Sequence, residues 1–96
     1  MIGDGIKLAR KRVGITQIDL AKKIKSKQAT LSFIETNKHR PSAKMLEKIS
    51  YALDVPIPIL YWLGFKREEI SDEKKEIYDI LKPSIDEAME QMWKTK

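Results

Sequence analysis

Apolar residues recur at helical spacing along most of the chain and nowhere alternate with the two-residue period of a half-buried strand. The spacing predicts a first helix from about Asp4 to Arg12, with Ile2, Ile6, Ala9 and Val13 on one face. Gly5 inside it costs roughly 1 kcal/mol relative to alanine, and Gly14 suits a left-handed stop. Thr16 then reads as the N-cap of a second helix, with Asp19 giving an approximate capping box and Leu20, Ala21 and Ile24 facing inward. A third helix is predicted from Lys27 or Gln28 to about Thr36, with Leu31 and Ile34 inward and Asn37 as a left-handed terminator. Pro41 blocks its continuation. Ser42 caps a fourth helix whose inner face is Leu46, Ile49, Ala52 and Leu53. Pro56 begins a short fifth helix through Ile59, Leu60 and Leu63, ended by Gly64.

Beyond that point the pattern changes. Lys66 to Ile70 is a charged link, after which Ser71, Asp72 and Glu73 open a further helix with acids well placed for its dipole. Ile77, Leu81, Ile85, Ala88, Met89 and Met92 continue an apolar stripe, interrupted at Pro83, so this stretch is either one kinked helix or two helices. The expected organisation is all-α: a five-helix domain over residues 1–65 and a helical extension over 66–96. Trp62, Phe65, Ile77, Leu81, Ile85, Met89, Met92 and Trp93 give the C-terminal third more apolar surface than a five-helix domain requires. Two readings stay open for it: packing within one chain, or a homodimer seam.

Composition narrows the chemistry. Ninety-six residues suffice for one core with an appendage. The chain has no cysteine and a single histidine, which excludes thiolate and multi-histidine metal sites. No cofactor is expected. No nucleophile–base pair and no phosphate-cradling glycine loop is present, so an enzyme is not expected. The start of the chain lacks the pattern of a secretory segment, and the longest apolar run, Val55 to Phe65, contains Pro58 and falls far short of the ~20 residues needed to span a bilayer. A cytoplasmic location is the expectation. The net charge of +5 is unevenly placed: residues 1–40 hold ten Lys/Arg against three Asp/Glu, whereas residues 41–96 hold nine against eleven. A basic N-terminal half points to a polyanionic partner.

Several short stretches carry a resemblance. Thr16-Gln17 with Leu20-Ala21, Leu31-Ser32 with Ile34-Glu35, Asn37-Lys38, Pro41-Ser42, Leu46, Ile49, and Ala52-Leu53 before Val55-Pro56 stand at matching spacing. Over residues 2–60 the chain resembles the helix-turn-helix domain of the Cro/repressor class (the XRE family), which includes lambdoid phage repressors. The resemblance implies a lambda-repressor-like five-helix fold and a bacterial or phage origin. It also implies a third helix lying in the major groove of double-stranded DNA with its leading residues at base edges. Carried over by position, Gln28, Ala29, Thr30, Ser32 and Phe33 are the candidate base contacts. Gln17, Lys25, Lys27, Lys38, His39 and Arg40 are the candidate backbone contacts. Arg10 and Glu35 occupy the positions of a structural ion pair.

The turn departs from the family pattern. Where the family has a glycine, a buried aliphatic residue and a serine or threonine cap, this chain has Lys25, Ser26 and Lys27. Lysine in a left-handed conformation costs roughly 1 kcal/mol. Ser26 supplies no apolar plug, and either it or its neighbour caps the third helix. The function implied is a sequence-specific DNA-binding transcriptional regulator, a repressor binding a palindromic operator as a homodimer. The alternatives are the antitoxin of a toxin–antitoxin pair, or a protein-interaction adaptor that has lost DNA specificity. In the antitoxin reading the C-terminal helices bind the toxin; the altered turn at Lys25-Ser26-Lys27 is the feature that favours the adaptor.

Overall fold

The computed structural model describes residues 1–94 and is all-α: six α-helices and one 3-10 turn, with no strand among the described residues. The helices are α1 (Ile2–Val13), α2 (Gln17–Lys23), α3 (Gln28–Glu35), α4 (Ala43–Leu53), α5 (Ile57–Gly64) and α6 (Asp72–Lys94), with the 3-10 turn at Arg67–Glu69. Met1–Phe65 forms one compact unit, and the chain from Lys66 onward forms another.

In the first unit the predicted inner faces converge. Ile6, Leu20, Leu31, Ile49, Leu53, Val55 and Leu60 are the largest fully buried side chains, and Ala9, Ala21, Ile24 and Ile34 join them. Fully burying an aliphatic side chain of this size is worth about 1.5–3 kcal/mol, so this cluster dominates the unit's stability. Val13, assigned to the inner face of α1, is instead partly exposed at the helix end.

Local signals set the boundaries. Thr16 Oγ1 accepts from Asp19 N at 3.1 Å and Ser42 Oγ accepts from Met45 N at 3.1 Å, capping α2 and α4. Gly14 ends α1 with φ 87°, and Asn37 follows α3 with φ 63°. Asp54 ends α4 in the same left-handed region, φ 55°, which its short polar side chain tolerates better than most. Pro56 is the residue preceding α5 rather than its first turn, and Pro58 lies within that turn, where its missing N–H has no intrahelical role.

Gly64 ends α5 as expected, though not as a left-handed stop. It is the last residue of α5, buried and without a left-handed φ; Phe65 follows it in extended conformation. Its smallness serves packing. A Cβ on Gly5 would overlap the Leu60 carbonyl oxygen and lie 2.8 Å from Gly64 N, and a Cβ on Gly64 would overlap the Met1 carbonyl oxygen and lie 2.8 Å from Gly5 N. The two glycines let the backbones of α1 and α5 touch. Gly5 thus offsets its helix-propensity cost with a close crossing that no larger residue permits.

In the second unit α6 runs as a single helix through Pro83, which settles the choice between one helix and two. Pro83 removes one backbone donor and its ring crowds the carbonyl four residues earlier, costing about 3 kcal/mol, yet the helix continues on both sides of it. Arg67 is joined to Asp79 by bonds of 2.9 and 3.1 Å, tying the 3-10 turn to α6. That hydrogen bond, more than the accompanying charge, holds the Asp79 carboxyl below the ordinary carboxylate range. Ile77, Ile80 and Leu81 are exposed on α6. Ile85, Met92 and Trp93 are half-buried and Met89 is buried, as Trp62 is half-buried and Phe65 exposed at the end of the first unit. No helix among the described residues is long and apolar enough to cross a membrane.

Candidate nucleic-acid interface

The turn between α2 and α3 is short and closed by backbone hydrogen bonds to the last turn of α2. Lys25 N donates to Lys22 O at 3.1 Å and Ser26 N to Ala21 O at 2.9 Å. Lys25 takes the left-handed conformation, φ 55°, in which a glycine would be unstrained. The N-cap of α3 is Lys27, not Ser26: Lys27 is extended, its side chain makes no cap bond, and Ser26 Oγ donates to Lys27 O at 3.3 Å. The turn therefore keeps its geometry with residues poorly suited to it.

From this turn α3 projects one buried and one exposed face. Leu31, Ile34 and Glu35 are buried; Gln28, Ala29 and Phe33 are exposed, and Ser32 is half-buried between them. At 100° per residue, Gln28, Ser32, Ala29 and Phe33 share one arc. Thr30 lies outside that arc, half-buried beside Ile34. Of the five candidate base-contact residues, four are thus brought together on one face.

A hydrogen-bonded relay supports that face from beneath. Arg10 Nε donates to Glu35 Oε2 at 2.7 Å and Arg10 Nη2 to Glu35 Oε1 at 3.0 Å, while Arg10 Nη1 donates to Ile15 O at 3.0 Å. Gln17 Nε2 donates to Glu35 Oε1 at 3.2 Å, and Gln28 Nε2 donates to Gln17 Oε1 at 3.4 Å. The chain runs from a buried ion pair in the core out to the exposed amide that opens α3. Each glutamine amide nitrogen carries two donors, so both keep one N–H for an external partner. No buried side-chain polar atom in the described residues lacks a hydrogen bond.

After α3 the chain turns sharply at Asn37. Its Oδ1 accepts from Gly3 N at 3.0 Å and its Nδ2 donates to Asp4 Oδ1 at 3.1 Å. Asn37 thus ends one helix with its backbone and holds the first turn of another with its side chain. Only the left-handed preference of asparagine was visible in the sequence; the partner 34 residues away was not. Lys38, His39 and Arg40 remain exposed. The Phe33 and His39 rings meet edge to face with centroids 5.1 Å apart, and Lys38 Nζ lies 5.8 Å from the Phe33 centroid. Lys25 and Lys27 are exposed at the other end of α3. Exposed cations therefore flank α3 at both ends, with amide and apolar groups between them.

Comparison with known proteins agrees with this geometry. A family model described as helix-turn-helix matches residues 6–60. A solved structure titled as a SinR protein/SinI protein complex contains a chain 32% identical to this one, with a TM-score of 0.59, covering 99% of this chain and 98% of that chain. No curated protein matches. With its two short helices, its turn and its relay in place, the chain belongs to the XRE-type helix-turn-helix family of DNA-binding transcription regulators.

Proposed function

We propose that this chain recognises a specific palindromic operator as a homodimer and represses transcription by excluding polymerase from it. The observation that carries the reading is the relay ending at Gln28. The exposed Gln28 amide has one N–H on Gln17, leaving its oxygen and its second N–H for the N6 and N7 groups of an adenine. Gln17 likewise has one N–H on Glu35 and another for a phosphate oxygen. Holding an amide before DNA arrives reduces the ordering cost of binding. Ala29 and Ser32 extend the face with groups suited to a thymine methyl or a base edge, Phe33 adds apolar surface beside them, and Thr30 reaches its margin. Lys25 and Lys27 on one side, and Lys38 and Arg40 on the other, neutralise phosphates of the groove walls, with His39 beside them as a further backbone contact.

The exposed Ile77, Ile80 and Leu81 of α6 support pairing of two copies, which would set half-sites about 34 Å apart. A second reading, in which α6 binds a different protein, is favoured by the similar solved chain, whose title names a complex of two proteins. Selection of bound duplexes from a random pool at two salt concentrations, with mass measured in parallel, tests the proposal. A palindromic consensus and a dimeric mass are expected. Absence of enrichment for any sequence would overturn specific recognition, and an asymmetric site bound by a monomer would overturn pairing.

A further inference from the structure

Phe33 holds the loop that follows α3 in two separable ways. Its carbonyl oxygen accepts from Lys38 N at 2.9 Å, His39 N at 3.2 Å and Thr36 Oγ1 at 3.3 Å. Its ring, 40% exposed, meets the His39 ring edge to face and lies beneath the Lys38 ammonium. The carbonyl bonds set the path of the loop backbone and do not involve the side chain at this position. The ring contacts act on side chains alone. Lysine and histidine on an exposed loop otherwise sample many rotamers, and immobilising each on binding weakens association.

We propose that the Phe33 ring is a positioning element for the phosphate-contacting loop, aiming Lys38 and His39 along the DNA backbone, so that loop and recognition helix act as one unit. This rests on the DNA-binding reading above. It departs from the simplest role for an aromatic residue on a recognition helix, a methyl contact. A ring with a cation over it and a second ring against it is engaged by the loop on two sides. Its energetic effect then falls on binding to every duplex, through the phosphate contacts, rather than on preference at one base pair.

The test compares Phe33→Leu, which keeps apolar bulk without the ring, with Phe33→Tyr, which keeps the ring. In the free protein, loss of the ring in Phe33→Leu should shift the His39 ring protons and the Lys38 ε-methylene protons, while the backbone amide signals of residues 38–40 barely move. On random-sequence duplexes, Phe33→Leu should weaken binding about three- to tenfold and lower the salt slope by up to about one phosphate equivalent. Phe33→Tyr should restore both. Lys38→Gln should weaken binding clearly in the parent chain and much less in the Phe33→Leu background, because the two share one contact. If Phe33→Leu alters preference at one base pair with random-duplex affinity and salt slope unchanged, the ring reads bases and the proposal falls. Unmoved His39 and Lys38 signals would also refute it, whatever the DNA result. If the parent chain binds no duplex, the DNA-binding reading fails and the proposal falls with it; shifted signals would then show only that the ring holds the two side chains in the free protein.

Discussion

The guanidinium of Arg10 and the carboxylate of Glu35 meet through parallel bonds of 2.7 and 3.0 Å, with the Glu35 side chain 1% exposed. Burying two charges is costly, and such pairs often add little net stability over an apolar substitute. This pair has a further consequence, because Glu35 Oε1 also accepts from Gln17. The ion pair is the fixed end of the relay that reaches Gln28.

Removing one charge of the pair should therefore be far worse than removing both. Glu35→Gln leaves a buried guanidinium without its counter-charge and should destabilise the fold by about 3–5 kcal/mol. Arg10→Met with Glu35→Leu together should cost much less. Urea unfolding of the three proteins decides the matter. A single-variant loss below about 1 kcal/mol would mean that water reaches the pair and that the relay is not anchored by it.

The two glutamines separate recognition from attachment. Gln28→Ala should weaken binding to the preferred operator by about 1–3 kcal/mol and relax selection at one or two positions. Its affinity for random duplexes should hardly change. Gln17→Ala should affect both, since it removes the proposed phosphate contact together with the partner of the Gln28 amide. Matched titrations on selected and scrambled duplexes check this. Equal losses on both duplexes for Gln28→Ala would remove that residue from the base-reading set.

Lys25 tests the departure of the turn from its family. A lysine at φ 55° sits where glycine is unstrained, so Lys25→Gly should raise stability by about 0.5–1 kcal/mol. It also removes an exposed charge beside α3. Affinity for random duplexes should fall, and the salt slope should drop by about 0.9 if the ammonium neutralises one phosphate. Opposite signs for stability and affinity are the informative outcome. A stability gain with unchanged binding would place Lys25 away from the DNA backbone.

How far the sequence foretold this molecule depended on the range of the interaction. The all-α class, the inner faces of α2 to α4 and the caps Thr16 and Ser42 follow from residues within a turn or two of each other. So do the stops at Gly14 and Asn37. Gln28, Gln17, Arg10 and Glu35 could be singled out because their spacing matched a known family. Contacts between distant segments were not legible. Gly5 looked like a helix-weakening residue and Gly64 like a terminator, when together they form a backbone crossing. Phe33 stood among the candidate base contacts, and its ring partners lie in a loop whose path only the structure defines. Asp54 gave no signal distinct from that of other surface acids.

The glycine crossing gives a prediction in which two effects oppose each other. Gly5→Ala gains about 1 kcal/mol of helix propensity, but the new methyl group overlaps the Leu60 carbonyl oxygen. Backbone atoms cannot move aside as a side-chain terminus can, so the clash should win. A net destabilisation of at least about 1–3 kcal/mol is expected. Thermal unfolding measures it. A neutral or stabilised variant would show that α1 and α5 separate readily and that their close approach contributes little.

Truncation after Phe65 separates folding from pairing. The largest buried side chains, from Ile6 to Leu60, all belong to the unit Met1–Phe65, so the shortened chain should retain its helical spectrum and a cooperative transition. It should also retain Gln17, Gln28 and the cationic loop, and therefore its affinity for a single half-site. What it should lose is the second, effectively intramolecular binding event, which contributes roughly 10²–10⁴-fold when two linked domains meet two half-sites. Sedimentation should show a dimer for the full chain and a monomer for the truncated one. Operator affinity should fall towards that of a half-site. If the shortened chain remains dimeric, pairing belongs to the first unit; if the full chain is already monomeric, the exposed Ile77, Ile80 and Leu81 are left for a different protein partner.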